Sequence, residues 1–290
     1  MAYGSPERLE DVPAYYADIR GGRPIRPELL ADLVERYRRL GIEDGSPLNA
    51  ITEETRAALE QALGGDIPVF AGMKHWTPRI ADAAEHALAT GADTVGGLVL
   101  APHYSRLSIA GYRQQLEDAI AGRADLVFVE SWHDDEGFVE LLADRVRGTA
   151  SHVVFTAHSL PERILAEGDP YKDQLLETSR LVAERAGLEP GEWSFSFQSE
   201  SETGEPWLGP DILDHLADLD ARGVRDVLVC PVGFVADHLE IRWDLDTEAQ
   251  ARAGELGMRL ERIEMPNAEP GMIRVLASLV RGALSVPSAG

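Results

Sequence analysis

Short apolar, β-branched runs alternate along this chain with longer stretches of helical periodicity. The runs that predict strands are 67–71, 94–101, 125–130, 152–157, 193–198 and 225–230. The helical pattern covers 28–40, 53–63, 78–90, 108–121, 136–146, 172–186, 210–222, 245–256 and 270–284. Strands alternating with helices predict an α/β fold of parallel sheets flanked by helices, here in two halves that meet near 135–150. Ligands of such sheets bind beyond the carboxyl ends of the strands.

Local signals sharpen the outline. Thr52-Glu53-Glu54-Thr55 reads as a helix start with a capping hydroxyl and early acids. Gly187 reads as a helix stop. Pro206-Trp207-Leu208-Gly209-Pro210-Asp211 reads as a rigid loop ahead of a helix, with Trp207 capping the core. Val95-Gly96-Gly97-Leu98 lies inside an apolar run and reads as close packing. Met1-Ala2-Tyr3-Gly4-Ser5-Pro6 resembles the end of a strand, so the first strand of the first half is expected to be missing.

Composition narrows the class. With 290 residues and 44% hydrophobic content, the chain can bury a large core. No apolar run is long enough for a membrane span, and the N-terminus lacks a secretory layout, so a cytoplasmic protein is expected. The net charge of −23 argues against nucleic acid and anionic membranes as partners. One basic island departs from that sign: Arg20, Arg23, Arg26, Arg36, Arg38 and Arg39 face only Glu28, Asp32 and Glu35 within 20–39. It reads either as a solvated face of paired charges or as a receiver for a small anion.

The chemistry gathers at two strand ends. Val153-Val154-Phe155-Thr156-Ala157-His158-Ser159-Leu160-Pro161 leaves His158 at the rim of a buried strand, where an imidazole can take a proton or bind a metal. A second run, Val227 to Phe234, leads into Val235-Ala236-Asp237-His238-Leu239-Glu240. Glu240, Asp244 and Glu248 follow at intervals of four, which stacks them on one helical face. That face is either an ordinary acidic surface or a ladder conducting a divalent cation inward, because few, loosely held oxygen ligands suit transit. Lys74 follows the run 67–71 and is placed to meet an acid or an anionic substrate. Phosphate-loop, nucleophile-elbow and paired-histidine helix motifs are absent from the sequence.

At these residues the chain resembles the ferrochelatase family, which inserts ferrous iron into a porphyrin. The most specific matches are Ala157-His158-Ser159-Leu160-Pro161, Trp207-Leu208-Gly209-Pro210-Asp211 and Pro231 to Glu240. The opening Ala-Tyr-Gly-Ser-Pro and Tyr15-Tyr16-Ala17-Asp18-Ile19-Arg20-Gly21-Gly22-Arg23 look like the Gram-positive branch that uses coproporphyrin III. The resemblance implies two Rossmann-like lobes with the cleft between them: 1–140 (its first 50 residues against the porphyrin), 141–268, and a helix at 269–290 packing back on the first lobe. It implies His158 and Glu240 as the catalytic, metal-handling pair, with Asp244 and Glu248 as the outer metal path. Tyr3 would approach the metal from the other porphyrin face, and Arg20, Arg36, Tyr37, Ser46, Lys74 and Tyr112 would line the porphyrin site.

The same resemblance implies that ferrous iron and coproporphyrin III are substrates, that no cofactor is permanently bound, and that haem-transfer or downstream decarboxylase proteins are partners of a monomer. A [2Fe–2S] cluster needs several cysteines and the chain has one, Cys230, so none is expected. The competing readings are a protoporphyrin IX ferrochelatase, a cobalt or nickel chelatase of sirohydrochlorin type, and a tetrapyrrole or metal carrier without turnover.

Overall fold

Two parallel sheets carry the chain, in a computed structural model that describes residues 1–41, 46–200 and 204–285. The first half runs α1 (Val12–Ile19), α2 (Pro27–Arg39), α3 (Leu48–Ala62), α4 (Ile80–Ala89), β1 (Thr94–Leu98), α5 (Ile109–Ile120), β2 (Asp125–Val129) and α6 (Glu136–Val146). The second runs β3 (His152–His158), α7 (Arg163–Ala166), α8 (Tyr171–Ala186), β4 (Trp193–Gln198), α9 (Ile212–Ala221), β5 (Asp226–Cys230), a π-helix (Ile241–Ala249), α10 (Gln250–Glu255), β6 (Arg259–Arg262) and α11 (Pro270–Ser285). Residues 286–290 of the expected C-terminal segment lie outside the described residues.

The second sheet has the order β4-β3-β5-β6, all parallel. Its central strand, β3, is buried from His152 to Ala157 and emerges at His158. Continuous apolar character is what a strand covered on both faces requires. His158 pairs in register with Gln198, and Phe155 with Cys230, so the ends of β3, β4 and β5 open on one rim. The main core joins α3, α6, β3, α8 and α11 through Leu59, Phe138, Leu142, Phe155, Leu175 and Leu276. Helix α11 thereby packs on α3 and α6 as well as on β1 and β2. Cys230 is fully buried, and that burial pushes its thiol far up, leaving an inert side chain.

Two expectations need correction, and two elements had no signal in the sequence. The run 67–71 is irregular rather than a strand; an apolar groove of about 410 Å³, lined by Met1, Ile67, Phe70 and Val95 among others, separates it from β1. Met1 and Ala2 continue past the groove in parallel orientation, with Ala2 bridged to Met73 and the Leu100 N–H donating to the Met1 carbonyl. The helix expected to start at Thr52 begins at Leu48, and the Thr52 hydroxyl donates to the Leu48 carbonyl inside it. Strand β6 had no signal, because Arg259-Leu260-Glu261-Arg262 buries only Leu260. Helix α1 also escaped the periodicity, being short and built around Tyr15 and Val12. Gly187 stops α8 at φ +78°, the left-handed geometry glycine supplies cheaply. Among the described residues no helix is long and apolar enough to cross a membrane.

Close backbone contact locks the site's two strand ends together. The Gly233 N–H donates to the Thr156 carbonyl at 3.1 Å. A Cβ on Gly233 would stand 2.5 Å from the Ala157 Cβ. Gly233→Ala is therefore expected to destabilise the fold by about 1–3 kcal/mol through overpacking, read as a lower denaturation midpoint. An unchanged midpoint would show that the loop after β5 yields freely.

Candidate active site

His158 reaches the rim with its tautomer already decided. Its Nδ1 lies in hydrogen-bonding contact with the Ser159 carbonyl, which can only accept, so Nδ1 carries the hydrogen. In the neutral ring, Nε2 then presents a lone pair, and it faces the Glu240 Oε1 at 3.6 Å. His238 is built the same way: Nδ1 donates to the Ala236 carbonyl at 2.9 Å and Nε2 stands 3.6 Å from the other Glu240 oxygen. Glu240 is thus flanked by two imidazoles. Burial alone would push its carboxyl up, but the His158 charge, with the His238 hydrogen bond and charge, brings it down to about 2. Burial likewise works against a charged His238, and Glu240 outweighs it, so that imidazole titrates above its ordinary value.

Glu240 heads the π-helix. Ile241, Leu245 and Ala249 bury one stripe of it against Leu216 and Val229, and the carboxylates occupy the adjacent positions. The Thr247 hydroxyl donates to the Arg242 carbonyl at 3.0 Å, five residues back, which suits the wider turn. Asp244 is 8% exposed, and its carboxyl is pushed up to about 7 by burial and then by the Glu240 charge. Glu248 adds repulsion from the far side, so the three act as an electrostatic series. The Ser199 hydroxyl, just past β4, donates to Asp244. Arg262 holds the other side of this segment, bridging Asp237 at 3.1 Å and Asp246 at 2.8 Å while only 15% exposed.

The facing wall comes from the N-terminal residues. Tyr3 is 41% exposed and packs its ring 4.6 Å from that of His75. Its phenol is raised by burial and by the Glu240 charge, which puts it within electrostatic reach of the pair. Lys74 donates to the Ser108 carbonyl at 3.0 Å and lies 4.8 Å over the Tyr112 ring, and burial lowers its ammonium. Tyr112 itself is 4% exposed and belongs to the core. Tyr37 is 2% exposed; its hydroxyl is held by Ser5 and Tyr16, and burial pushes it up to about 12. Ser46 is buried ahead of α3, where its oxygen accepts from the Leu48 N–H.

The basic island divides. Arg36, Arg38 and Arg39 pair with Asp32 or Glu35 on α2, which is the solvated-face pattern. Arg36 also stacks 5.2 Å over Trp243 of the π-helix, tying α2 across to the metal-side segment. Arg20 differs, because its Nε is buried without a hydrogen-bond partner. Trp207 stands 6.3 Å from the His158 ring rather than capping the core. Three neighbours of the pair escaped the sequence-based site: His238, Ser199 and Tyr171, whose hydroxyl donates to the His158 carbonyl at 3.0 Å. Only His238 carried a signal, two residues before Glu240.

Chemically, the pair presents an imidazole nitrogen and a carboxylate to a common point, with a phenol opposite. Among the described residues no three His, Cys, Asp or Glu side chains cluster tightly enough to hold a metal ion. Two donors with an acidic approach suit passage and proton transfer better than storage.

Comparison with known proteins places the geometry in context. The family model named Ferrochelatase matches residues 1–284. A ferrochelatase of Herpetosiphon aurantiacus is 42% identical, with 97% of each chain covered. The Deinococcus radiodurans ferrochelatase is 43% identical over 97% of this chain and 93% of its own. The coproporphyrin III ferrochelatase of Bacillus subtilis is 40% identical over 97% of this chain and 95% of its own. Among solved structures, SirB from Bacillus subtilis with Fe3+ superposes with a TM-score of 0.60 at 15% identity, over 81% of this chain and 90% of that one. CbiX, described as the terminal enzyme of siroheme biosynthesis in denitrifying bacteria, gives 0.56 at 16% identity, over 82% and 93%. At such identities these two speak for the fold alone.

Asp244 makes the site's electrostatics measurable. Its carboxyl binds its proton more tightly folded than unfolded, so stability falls as pH rises from about 4 to about 7 and stays reduced above. Asp244→Asn removes that loss. It should stabilise the fold on the order of a few kcal/mol at pH 8, and less at pH 5, by denaturant titration. Equal effects at both pH values would mean that Asp244 is not held protonated by its surroundings.

Proposed function

The chain belongs to the ferrochelatase family, which inserts iron into a porphyrin, and from that premise we propose that this member acts on coproporphyrin III. It gives Fe-coproporphyrin III and releases two protons. The observation that carries the reaction is His158 Nε2 facing the Glu240 carboxylate at 3.6 Å, where a proton taken up by the ring meets an opposite charge. The preference for a tetracarboxylate ring rests on Arg20, whose Nε is buried and unpartnered on an otherwise acidic protein. A buried donor without a partner is costly, and a propionate supplies the missing acceptor. Relatives named coproporphyrin III ferrochelatase at about the same identity support the choice.

In this reading iron enters along Glu248 and Asp244 and exchanges hydration water for the Glu240 carboxylate. His158 takes the pyrrole protons one at a time through Nε2, passing the first on by way of Glu240 before it accepts the second, with Glu240 stabilising each imidazolium that forms. Tyr3 closes over the opposite porphyrin face. Holding the macrocycle buckled between these walls exposes its nitrogen lone pairs, which spends binding energy on distortion toward the transition state. Lys74 and Tyr112 brace the wall behind Tyr3, with Arg36, Tyr37 and Ser46 bordering the N-terminal side.

Anaerobic ferrous-iron insertion, followed by absorbance with coproporphyrin III and protoporphyrin IX side by side, tests the proposal. Faster turnover of coproporphyrin is expected, and Arg20→Ala should raise its KM while sparing that of protoporphyrin. Equal use of both porphyrins would overturn the substrate assignment. His158→Ala is expected to lower turnover by about 10²–10⁴-fold with porphyrin binding, read by fluorescence quenching, retained. Near-normal turnover in that variant would remove His158 from the chemistry.

A further inference from the structure

Just ahead of α8, one buried carboxylate joins the two halves of the chain. Asp169 is 5% exposed, and its two oxygens take three hydrogen bonds. Oδ1 accepts from the Tyr171 N–H at 3.0 Å. Oδ2 accepts from the Ser105 hydroxyl at 3.0 Å and from the Arg106 N–H at 2.7 Å, both in the loop that leads from β1 to α5. Apolar burial is non-directional and lets surfaces slide. Bonds to a buried carboxylate are directional and costly to leave unmade, so they hold the segments they join at one distance and angle.

Each side of Asp169 leads to one wall of the site. On one side, the Tyr171 hydroxyl donates to the His158 carbonyl at 3.0 Å, while the residue is buried in the main core. On the other, the Ser105 carbonyl accepts from the Ser108 and Ile109 N–H groups at 3.2 and 2.9 Å, which opens α5. The Ser108 carbonyl in turn accepts from Lys74 Nζ at 3.0 Å. The Lys74 and His75 N–H groups donate to the Ala2 and Tyr3 carbonyls, each at 2.9 Å. A continuous series of hydrogen bonds and chain thus runs from His158 through Asp169 to Tyr3. Further along α8, Gln174 and Thr178 meet Tyr104 and His103 at 2.7 and 2.8 Å, so the same helix continues the junction.

We propose that Asp169 is a positioning residue that sets the width of the cleft: it holds the His158 wall and the Tyr3 wall at the separation that keeps a bound porphyrin buckled. The inference rests on the proposed function and adds to it a residue that acts only through others.

The experiment combines steady-state anaerobic iron insertion by the full chain with resonance Raman spectra of bound coproporphyrin III. Asp169→Asn keeps the shape, but in either orientation its amide nitrogen faces the N–H of Arg106 or that of Tyr171. Tyr171→Phe cuts the link to His158 and leaves a ring in the core. In both, kcat is expected to fall about ten- to a hundredfold. The KM for porphyrin should stay the same or drop, because binding energy no longer goes into distortion. The out-of-plane ring modes of the bound porphyrin should weaken in step. A merely structural role would reduce the fraction of active enzyme and leave the spectrum of the bound ring at its parental form. Parental out-of-plane modes in both variants, or a raised KM for porphyrin, would overturn the role of Asp169 and leave the reaction standing. Absence of turnover in the parent chain would overturn the proposed reaction and this inference with it.

Discussion

A carboxylate kept ionised between two imidazoles is the constraint on which the rest of the site depends. Its partial burial pushes the carboxyl up, its two partners bring it down, and only the ionised form can stabilise an imidazolium. The partners are His158 and His238, each presenting Nε2 at 3.6 Å. Both rings are oriented by backbone carbonyls, those of Ser159 and Ala236. These carbonyls are where they are because β3 and β5 end on one rim in parallel register. Sheet topology thus decides a tautomer, the tautomer decides which nitrogen meets the carboxylate, and the carboxylate's charge follows.

The two walls of the site are held with unequal firmness. Behind the pair stands the large core of β3, α6, α8 and α11, all close-packed. Arg262 adds ion pairs that pin the loop before Glu240 and the π-helix after it to β6. The facing wall has a much smaller cluster, in which Val12 and Tyr37 are the buried members and Leu239 is the contact across. Segments with few buried apolar contacts open at the lowest cost. Under the proposed function that asymmetry has a use: the site is rigid where charges are placed and yielding where a flat ring would enter.

Sequence periodicity made most of the framework legible. The β3 run ending at His158 is buried on both faces, so its signal was undiluted. The four-residue carboxylate spacing was equally plain, yet it does not distinguish an α-helix from the π-helix that forms, since both keep such residues near one face. Strand β6 was invisible because an edge strand with one buried residue has no alternation to detect. The run 67–71 looked like a strand because composition reports burial, and it is lined by a groove without the ladder partners a strand needs. Tyr37 and Tyr112 could be named from resemblance, but nothing local says that both rings are buried in the core. Ser199 was beyond reach for a different reason: its place beside Asp244 follows from a backbone angle and a contact 45 residues away.

The ladder itself is an arrangement that folding alone would not select. Three carboxylates in series repel, and Asp244 sits where its own ionisation is opposed by burial and by Glu240. Replacing such groups with neutral ones generally stabilises a protein, so their presence here fits a stability–function compromise. The compensation is local and identifiable: two imidazoles on Glu240, a hydroxyl on Asp244, a guanidinium on Asp246. None of these neutralises Asp244 fully. A fully neutralised path would have no pull on a hydrated cation, and a fully ionised one would hold it. On the proposed iron path Asp244, with its carboxyl pushed up to about 7, lies between those limits near neutral pH.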